Sequence, residues 1–366
     1  MKGFYVAATN QHVGKTTSTL GLAAIYRSLG LNVGYCKPVG QEFLDLNDLR
    51  VDKDTLLFAD LLGFNLHPAY HSPVILGPGA TTAYLDHPEK FQYRRDVLTA
   101  AQYLQQVHEL VIYEGTGHPG VGSVVNLSNA DVASMLDLGV VMIVEGGIGS
   151  TIDRLNTCSA LFREKNVPIV GVIINKVIPE KMDKVKYYVS KKLREMKLKP
   201  LGFVPYDESM AFPTIKGIID QIRGTVTFNE DNVYNKVEDI ISGSVLERNQ
   251  LQTSQKNLLL VVAADRVDNA INKVKIWSYE KHGEFSPLSG IVATGEGFIN
   301  SETESYILKN RIPFIRTHLD TLGTVRQISK MEVKINLKTP WKIQRAIELI
   351  KENVDLDYLQ GSVKKM

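Results

Sequence analysis

Residues 9–17, Thr-Asn-Gln-His-Val-Gly-Lys-Thr-Thr, bring together the three groups needed to hold a polyphosphate. These are a run of backbone amides, one ammonium and a hydroxyl. The amides of Gln11, His12, Val13, Gly14, Lys15, Thr16 and Thr17 can wrap phosphate oxygens. Lys15 can reach the β and γ oxygens, and the Thr16 hydroxyl can hold Mg²⁺. Against the pattern G-x-x-x-x-G-K-[ST], Thr9 stands where the first glycine belongs. The apolar run Phe4–Ala8 before the loop and a helix pattern over Thr17–Ser28, stopped by Gly30, supply the strand–loop–helix setting the motif requires.

Other candidate groups fall at the ends of apolar runs. Lys37-Pro38-Val39-Gly40 follows the second run. A second lysine beside Lys15 is electrostatically costly unless an anionic phosphate or substrate lies between them. Asp52 and Asp54 open a helix-patterned segment that continues to Leu62. Either could hold Mg²⁺ with Thr16, or simply complement the helix dipole, and spacing alone does not choose between them. Glu114 directly follows a buried run, the position of a metal-holding carboxylate, and glycines at 115, 117, 120 and 122 would let backbone approach a ligand. His118 lies in that same loop. Asn175 ends another apolar run, where its amide can pair with an adenine edge or cap the turn.

The elements that must carry these groups are legible as alternation. Apolar runs at Phe4–Ala8, Asn32–Cys36, Leu110–Tyr113, Val140–Val144, Pro168–Ile174 and Pro200–Val204 are separated by helical patterns. That is an α/β fold with a doubly wound, mostly parallel sheet, whose ligands bind at the carboxyl ends of the strands. Residues 206 to about 225 read as a connector punctuated by Pro205 and Pro213. A second, smaller α/β pattern follows: a helix over Val233–Ile241, strands at Leu258–Ala263 and Leu288–Ala293, and helices at Val267–Tyr279, Ser301–Lys309 and Pro340–Asn353. The expected domains are therefore 1–210 and 211–366.

With 366 residues, 44% hydrophobic and 22% charged, the composition is that of a globular protein, and the net charge of +2 gives no basis for a nucleic-acid or membrane partner. Cys36 and Cys158 both lie in apolar surroundings and are expected to be reduced. The N-terminus runs straight into a strand with no signal-peptide pattern, so a cytoplasmic location is expected.

In order and spacing these motifs resemble the dethiobiotin synthetase family, within the wider group of CobQ/CobB/MinD/ParA-type P-loop proteins, over residues 1 to about 210. The family's Gly-Thr-x-x-x-x-Gly-Lys-Thr stands here as Ala8-Thr9-Asn10-Gln11-His12-Val13-Gly14-Lys15-Thr16, and its Lys-Pro-Val as Lys37-Pro38-Val39. The resemblance implies ATP and Mg²⁺ as cofactors, with Thr16, Asp54 and Glu114 at the metal. Lys15 and Lys37 would be the catalytic lysines, Asn175 the adenine contact, and Gly202 to Pro205 the family's Gly-x-x-Pro. A homodimer is implied, along with a small anionic substrate. Ala8 departs from the leading glycine, and Gln41 stands where the synthetase has a substrate-contacting serine. Asn10 occupies the position of the MinD/ParA signature lysine, so a lysine-bridged dimer is not expected.

From about residue 206 the chain resembles a DRTGG domain, through Pro205-Tyr206-Asp207, Pro213-Thr214, Asp265-Arg266-Val267-Asp268, Thr294-Gly295-Glu296-Gly297 and Asp320-Thr321. Glu296 departs from the second glycine. The pairing resembles the N-terminal, regulatory half of long bacterial phosphotransacetylases, and no transacetylase domain is expected within these residues. Two functions follow: a nucleotide-sensing regulatory module or ATPase, or an ATP-dependent carboxylase/ligase acting on a carbamate or carboxylate.

Overall fold

Strand Gly3–Ala8 is buried at every residue, which only a sheet covered on both faces allows. In the computed structural model, which describes residues 3–46, 49–243, 246–251, 255–283 and 285–365, it lies inside a six-stranded sheet. The strand order is Pro200–Pro205, Ile169–Val177, Val140–Glu145, Gly3–Ala8, Leu110–Glu114, Val33–Cys36. All neighbours are parallel. The chain adds strands on one side of Gly3–Ala8 and then on the other, so the loop leaving that strand opens where the winding reverses.

The helix that follows, Lys15–Ser28, is buried over Ser18–Ala23 as well as at Ile25 and Tyr26. Such extensive burial means cover on two sides. One cover is the sheet. The other is the late helix Pro340–Asn353, admitted by Gly21: a Cβ there would lie 2.5 Å from Ile350 Cγ1 and 2.9 Å from the Ala346 carbonyl oxygen. The same C-terminal segment pairs with the edge strand through Gly202 and Val354, and the Asp355 amide donates to the Leu201 carbonyl at 2.7 Å. An otherwise open strand edge is thereby covered. Arg345 completes the attachment with a 2.6 Å bond to Asp207.

The two compact units are accordingly residues up to Asp207 together with those from Ile335 onward, and Glu208–Lys334. This differs from the expected division at 210/211. The closing helix belongs to the first unit because its apolar face, Ala346, Leu349 and Ile350, packs there.

The second unit has a five-stranded sheet in the order Thr225–Phe228, Phe314–Thr317, Leu288–Thr294, Leu258–Ala263, Asp239–Ser242. The first of these is antiparallel and the rest are parallel. Two sequence expectations are corrected here. The connector over 206–225 contains a helix, Ile215–Ile222, started by Thr214, whose side chain accepts from the Gly217 amide. Ile215, Ile218, Ile219 and Ile222 form its buried stripe, so Pro213 precedes a helix start. The expected helix Val233–Ile241 is instead a turn followed by strand Asp239–Ser242. Val233, Val237 and Ile241 are buried four residues apart, a spacing that imitates a helical face.

Candidate functional site

Gly14 adopts φ 91°, and the tight turn it permits starts helix Lys15–Ser28. Asn175 lies directly behind it: a Cβ on residue 14 would sit 2.1 Å from the Asn175 side-chain nitrogen. That nitrogen donates to the Val13 carbonyl at 2.8 Å, and Lys176 Nζ donates to the His12 carbonyl at 2.6 Å. The loop's carbonyls are therefore held from beneath by the end of strand Ile169–Val177. None of the amides from Val13 to Thr17 donates to a protein acceptor among the described residues. They are the orphan donors of a helix start, suited to an anion.

Four strand ends and helix starts converge beside this loop. Glu114, fully buried at the end of its strand, accepts from Thr16 Oγ1 at 2.9 Å, while Asp54 Oδ2 lies 3.5 Å from the same hydroxyl. Lys15 Nζ is 3.9 Å from Glu114 Oε1. Lys37 Nζ is bonded to Asp54 and lies 3.6 Å from Asp52 Oδ1 and 3.7 Å from Glu114 Oε1. The expectation that an external anion must separate the two lysines is thus modified, because the chain's own carboxylates supply the counter-charge.

The electrostatics follow from burial. Burial pulls the Lys15 ammonium below its ordinary value, with Glu114 opposing it. Burial acts on Lys37 in the same direction, but Asp54, Glu114 and Asp52 together outweigh it and hold Lys37 above the usual lysine range. Asp52 is pushed up, first by burial and then by Asp54, against the pull of Lys37. Asp52 also accepts from the Asp54 amide at 3.0 Å and so caps helix Lys53–Leu62. Spacing could not choose between the two aspartates, and their geometry separates them: Asp54 reaches both Thr16 and Lys37, whereas Asp52 lies near Lys37 alone.

The residues present fit a magnesium ion. Glu114 Oε2 is buried with no hydrogen-bond partner among the described residues. Leaving a buried acceptor unmet costs roughly 1–3 kcal/mol, which a ligand to that oxygen would offset. Thr16, Asp54 and Glu114 offer the hard oxygens Mg²⁺ prefers, and one or two carboxylates plus phosphate oxygens suffice. Among the described residues no group of three or more His, Cys, Asp or Glu side chains forms a metal cage by itself.

Asn129 is a site residue that the sequence reading missed. It is buried and accepts from Tyr5 Oη at 2.9 Å and from the Thr116 amide at 3.1 Å. Its own amide donates to the carbonyls of Thr116 and His118. It fixes the glycine-rich loop after Glu114 at the rim of the site. Only its position after Ser128, the cap of helix Asn129–Met135, offered a signal, and that signal concerns the helix alone. His118 accepts from the Gly120 amide at 3.2 Å, a bond within its own loop. Gln41 is exposed.

Residues 2–214 match a family described as AAA domain, and residues 217–331 match the DRTGG domain. Phosphate acetyltransferase of Nitrosomonas europaea is 23% identical, over 73% of this chain and 38% of that one. The phosphate acetyltransferase of Pseudomonas aeruginosa is 22% identical over 98% of this chain and 52% of its own. The chain thus spans about half or less of those relatives. ATP-dependent dethiobiotin synthetase BioD of Anaeromyxobacter dehalogenans is 28% identical over 58% of this chain and 93% of its own. Among solved structures, MinD from Aquifex aeolicus aligns with a TM-score of 0.36 at 12% identity, over 58% of this chain and 85% of that one, too slight a likeness to carry an argument. A dethiobiotin-synthetase-like P-loop domain followed by a DRTGG domain, as the motifs implied, is what these matches describe.

Proposed function

The chain belongs to the AAA domain family, and from that premise we propose that its first unit binds Mg-ATP as a nucleotide-sensing regulatory module or ATPase. The observation that carries this reading is the convergence of Lys15, Thr16, Asp54 and Glu114 beside the amides of Val13 to Thr17, which donate to no protein acceptor among the described residues. The amides of Gln11 to Thr17 cradle the phosphates, with Lys15 reaching their outer oxygens. Thr16, Asp54 and Glu114 hold the metal, which when bound supplies charge neutralisation along the phosphate chain. Asn175 supports the loop and presents the rest of its amide toward an adenine edge. The regulatory reading draws on the DRTGG domain and on the similarity to about half of a phosphate acetyltransferase. Cys36 and Cys158 are both free, which suits a cytoplasmic protein. Among the described residues no helix is long and apolar enough to cross a membrane. A homodimer is proposed by analogy with the synthetases.

A second reading, an ATP-dependent carboxylase or ligase, is favoured by the match over 93% of a dethiobiotin synthetase and by Lys37 adjoining the metal carboxylates. Lys37 would then hold a carbamate or carboxylate while Lys15 stabilises charge on the transferring phosphoryl group.

Binding of ATP with Mg²⁺, measured by calorimetry, is expected to weaken at least about a hundredfold in Lys15→Ala, since truncating one partner of a buried charge contact costs several kcal/mol. Equal affinity in a folded variant refutes the loop assignment. Incubation with ATP, bicarbonate and a diamine separates the two readings. Stoichiometric phosphate release with a carboxylated product favours the ligase, and binding without turnover favours the sensor.

A further inference from the structure

Lys37 and the candidate metal site draw on the same two carboxyl groups, those of Glu114 and Asp54. Glu114 Oε1 accepts from Thr16 Oγ1 at 2.9 Å and lies 3.7 Å from Lys37 Nζ. Asp54 Oδ2 lies 3.5 Å from Thr16 Oγ1 and is itself the bonded partner of Lys37. The Lys37 side chain is 8% exposed and Glu114 is not exposed at all, so water screens neither. A divalent ion held by Glu114 and Asp54 would lie a few ångströms from the Lys37 ammonium, and like charges that close repel strongly in such a place. Asp52, 3.6 Å from the ammonium but not within hydrogen-bond reach of Thr16, gives Lys37 a carboxylate of its own.

Building on the Mg-ATP reading, we infer that Lys37 competes with the divalent ion for Glu114 and Asp54, so that metal loading and release of the Lys37 amine are a single event. The backbone of Lys37 stays fixed through this exchange: its amide donates to the His71 carbonyl at 2.8 Å, and Pro38 follows. Only the side chain moves. Asp52 is held from both sides, its amide by Ser72 Oγ at 3.3 Å and its carboxylate by the Asp54 amide at 3.0 Å. It therefore stays in place as the partner from which the ammonium swings once the metal has taken Glu114 and Asp54. An amine displaced in this way is charged and close to the phosphate loop, so it becomes available to a γ-phosphate or an anionic substrate only once metal has entered. The order of events, metal-nucleotide first and second anion afterwards, would be built into the site.

Manganese, counted by electron paramagnetic resonance of the free ion, tests this without nucleotide and without turnover. Lys37→Met is expected to bind Mn²⁺ about tenfold or more tightly than wild type, because a competing unit charge has been removed. Lys37→Gln, which keeps an N–H donor toward Asp54, is expected to behave likewise and serves where the methionine variant does not fold. Lys37→Arg, which keeps the charge, is expected to show no tightening. Unchanged or weaker Mn²⁺ binding in a folded Lys37→Met or Lys37→Gln protein overturns the competition. If that protein still binds ATP, the nucleotide reading stands and the competition alone is lost. If neither wild type nor variant takes up Mn²⁺, even with a non-hydrolysable ATP analogue added, the metal assignment fails, and the competition with it.

Discussion

The two sheets of this chain end in different chemistry. At its strand ends and the loops beside them the first unit buries Lys37, Asp52 and Glu114, whereas the second unit buries hydroxyls such as Thr294 and Thr317. In the second unit Asp265, Arg266, Glu296 and Asp320 are all exposed. Among the described residues every buried lysine or carboxylate belongs to the first unit. Both sheets are mostly parallel and both carry recognisable motifs, so fold and motif alone do not distinguish them. Burying a charge is expensive unless partners compensate it, and a cluster of such charges at strand ends is where ligand chemistry concentrates. The first unit thus carries the stronger case for a reactive site.

Removal of residues 335–366 should have the largest effect on this contrast. It strips Ala346, Leu349 and Ile350 from the helix that follows the phosphate loop, the leucine and isoleucine each contributing roughly 1.5–3 kcal/mol when buried. Against a typical total of about 5–15 kcal/mol, the truncated protein is expected to be insoluble or to lose nucleotide binding, checked by soluble yield and calorimetry. A truncated protein that binds ATP normally would show that the expected boundary at 210 was the better division.

Next in size is Glu114→Gln, which leaves Lys15 and Lys37 facing each other with less counter-charge. Breaking a buried pair of this kind costs roughly 3–5 kcal/mol. Trp341 lies on helix Pro340–Asn353 of the first unit and Trp277 on helix Val267–His282 of the second, so fluorescence of a Trp277→Phe background reports urea unfolding of the first unit alone. A change below about 1 kcal/mol would remove Glu114 from the centre of the charge network.

A smaller effect is set by pH. His71 is stacked on Phe64 at 4.3 Å and its pKa is lowered to about 4, chiefly by burial, with His108 and His67 adding to the effect and the His67 backbone bond opposing it. The unfolded chain binds this proton near pH 6.5 and the folded one only near 4. Stability is therefore complete above about 6.5 and falls as pH drops toward 4, by at most about 3 kcal/mol. His71→Gln is expected to flatten that limb in urea midpoints measured across pH, and an unchanged slope would assign the limb to other groups. Smallest of all is Glu296→Gln in the second unit, expected to stay within about 0.5 kcal/mol because the side chain is exposed. A shift comparable to that of Glu114→Gln, read from Trp277 in a Trp341→Phe background, would erase the distinction between the two sheets.

What could be read from sequence depended on range. The phosphate loop and the six strands of the first sheet were legible because each is a local pattern of buried runs and breaks. Helix Ile215–Ile222 was also written locally, in a Thr cap and an isoleucine stripe, but proline was read as a connector rather than as the residue before a start. Strand Asp239–Ser242 was masked by valines spaced like a helix face. The division of labour between Asp52 and Asp54, and the bracing role of Asn129, depend on residues brought together from far along the chain. No periodicity records such meetings.

The return of the polypeptide at Ile335 makes the DRTGG module a guest lodged within its host rather than a trailer behind it. Recombination cannot gain or lose such a guest at a single junction. Any replacement must hand the chain back to the host, whose fold is completed by the segment that comes after the visitor.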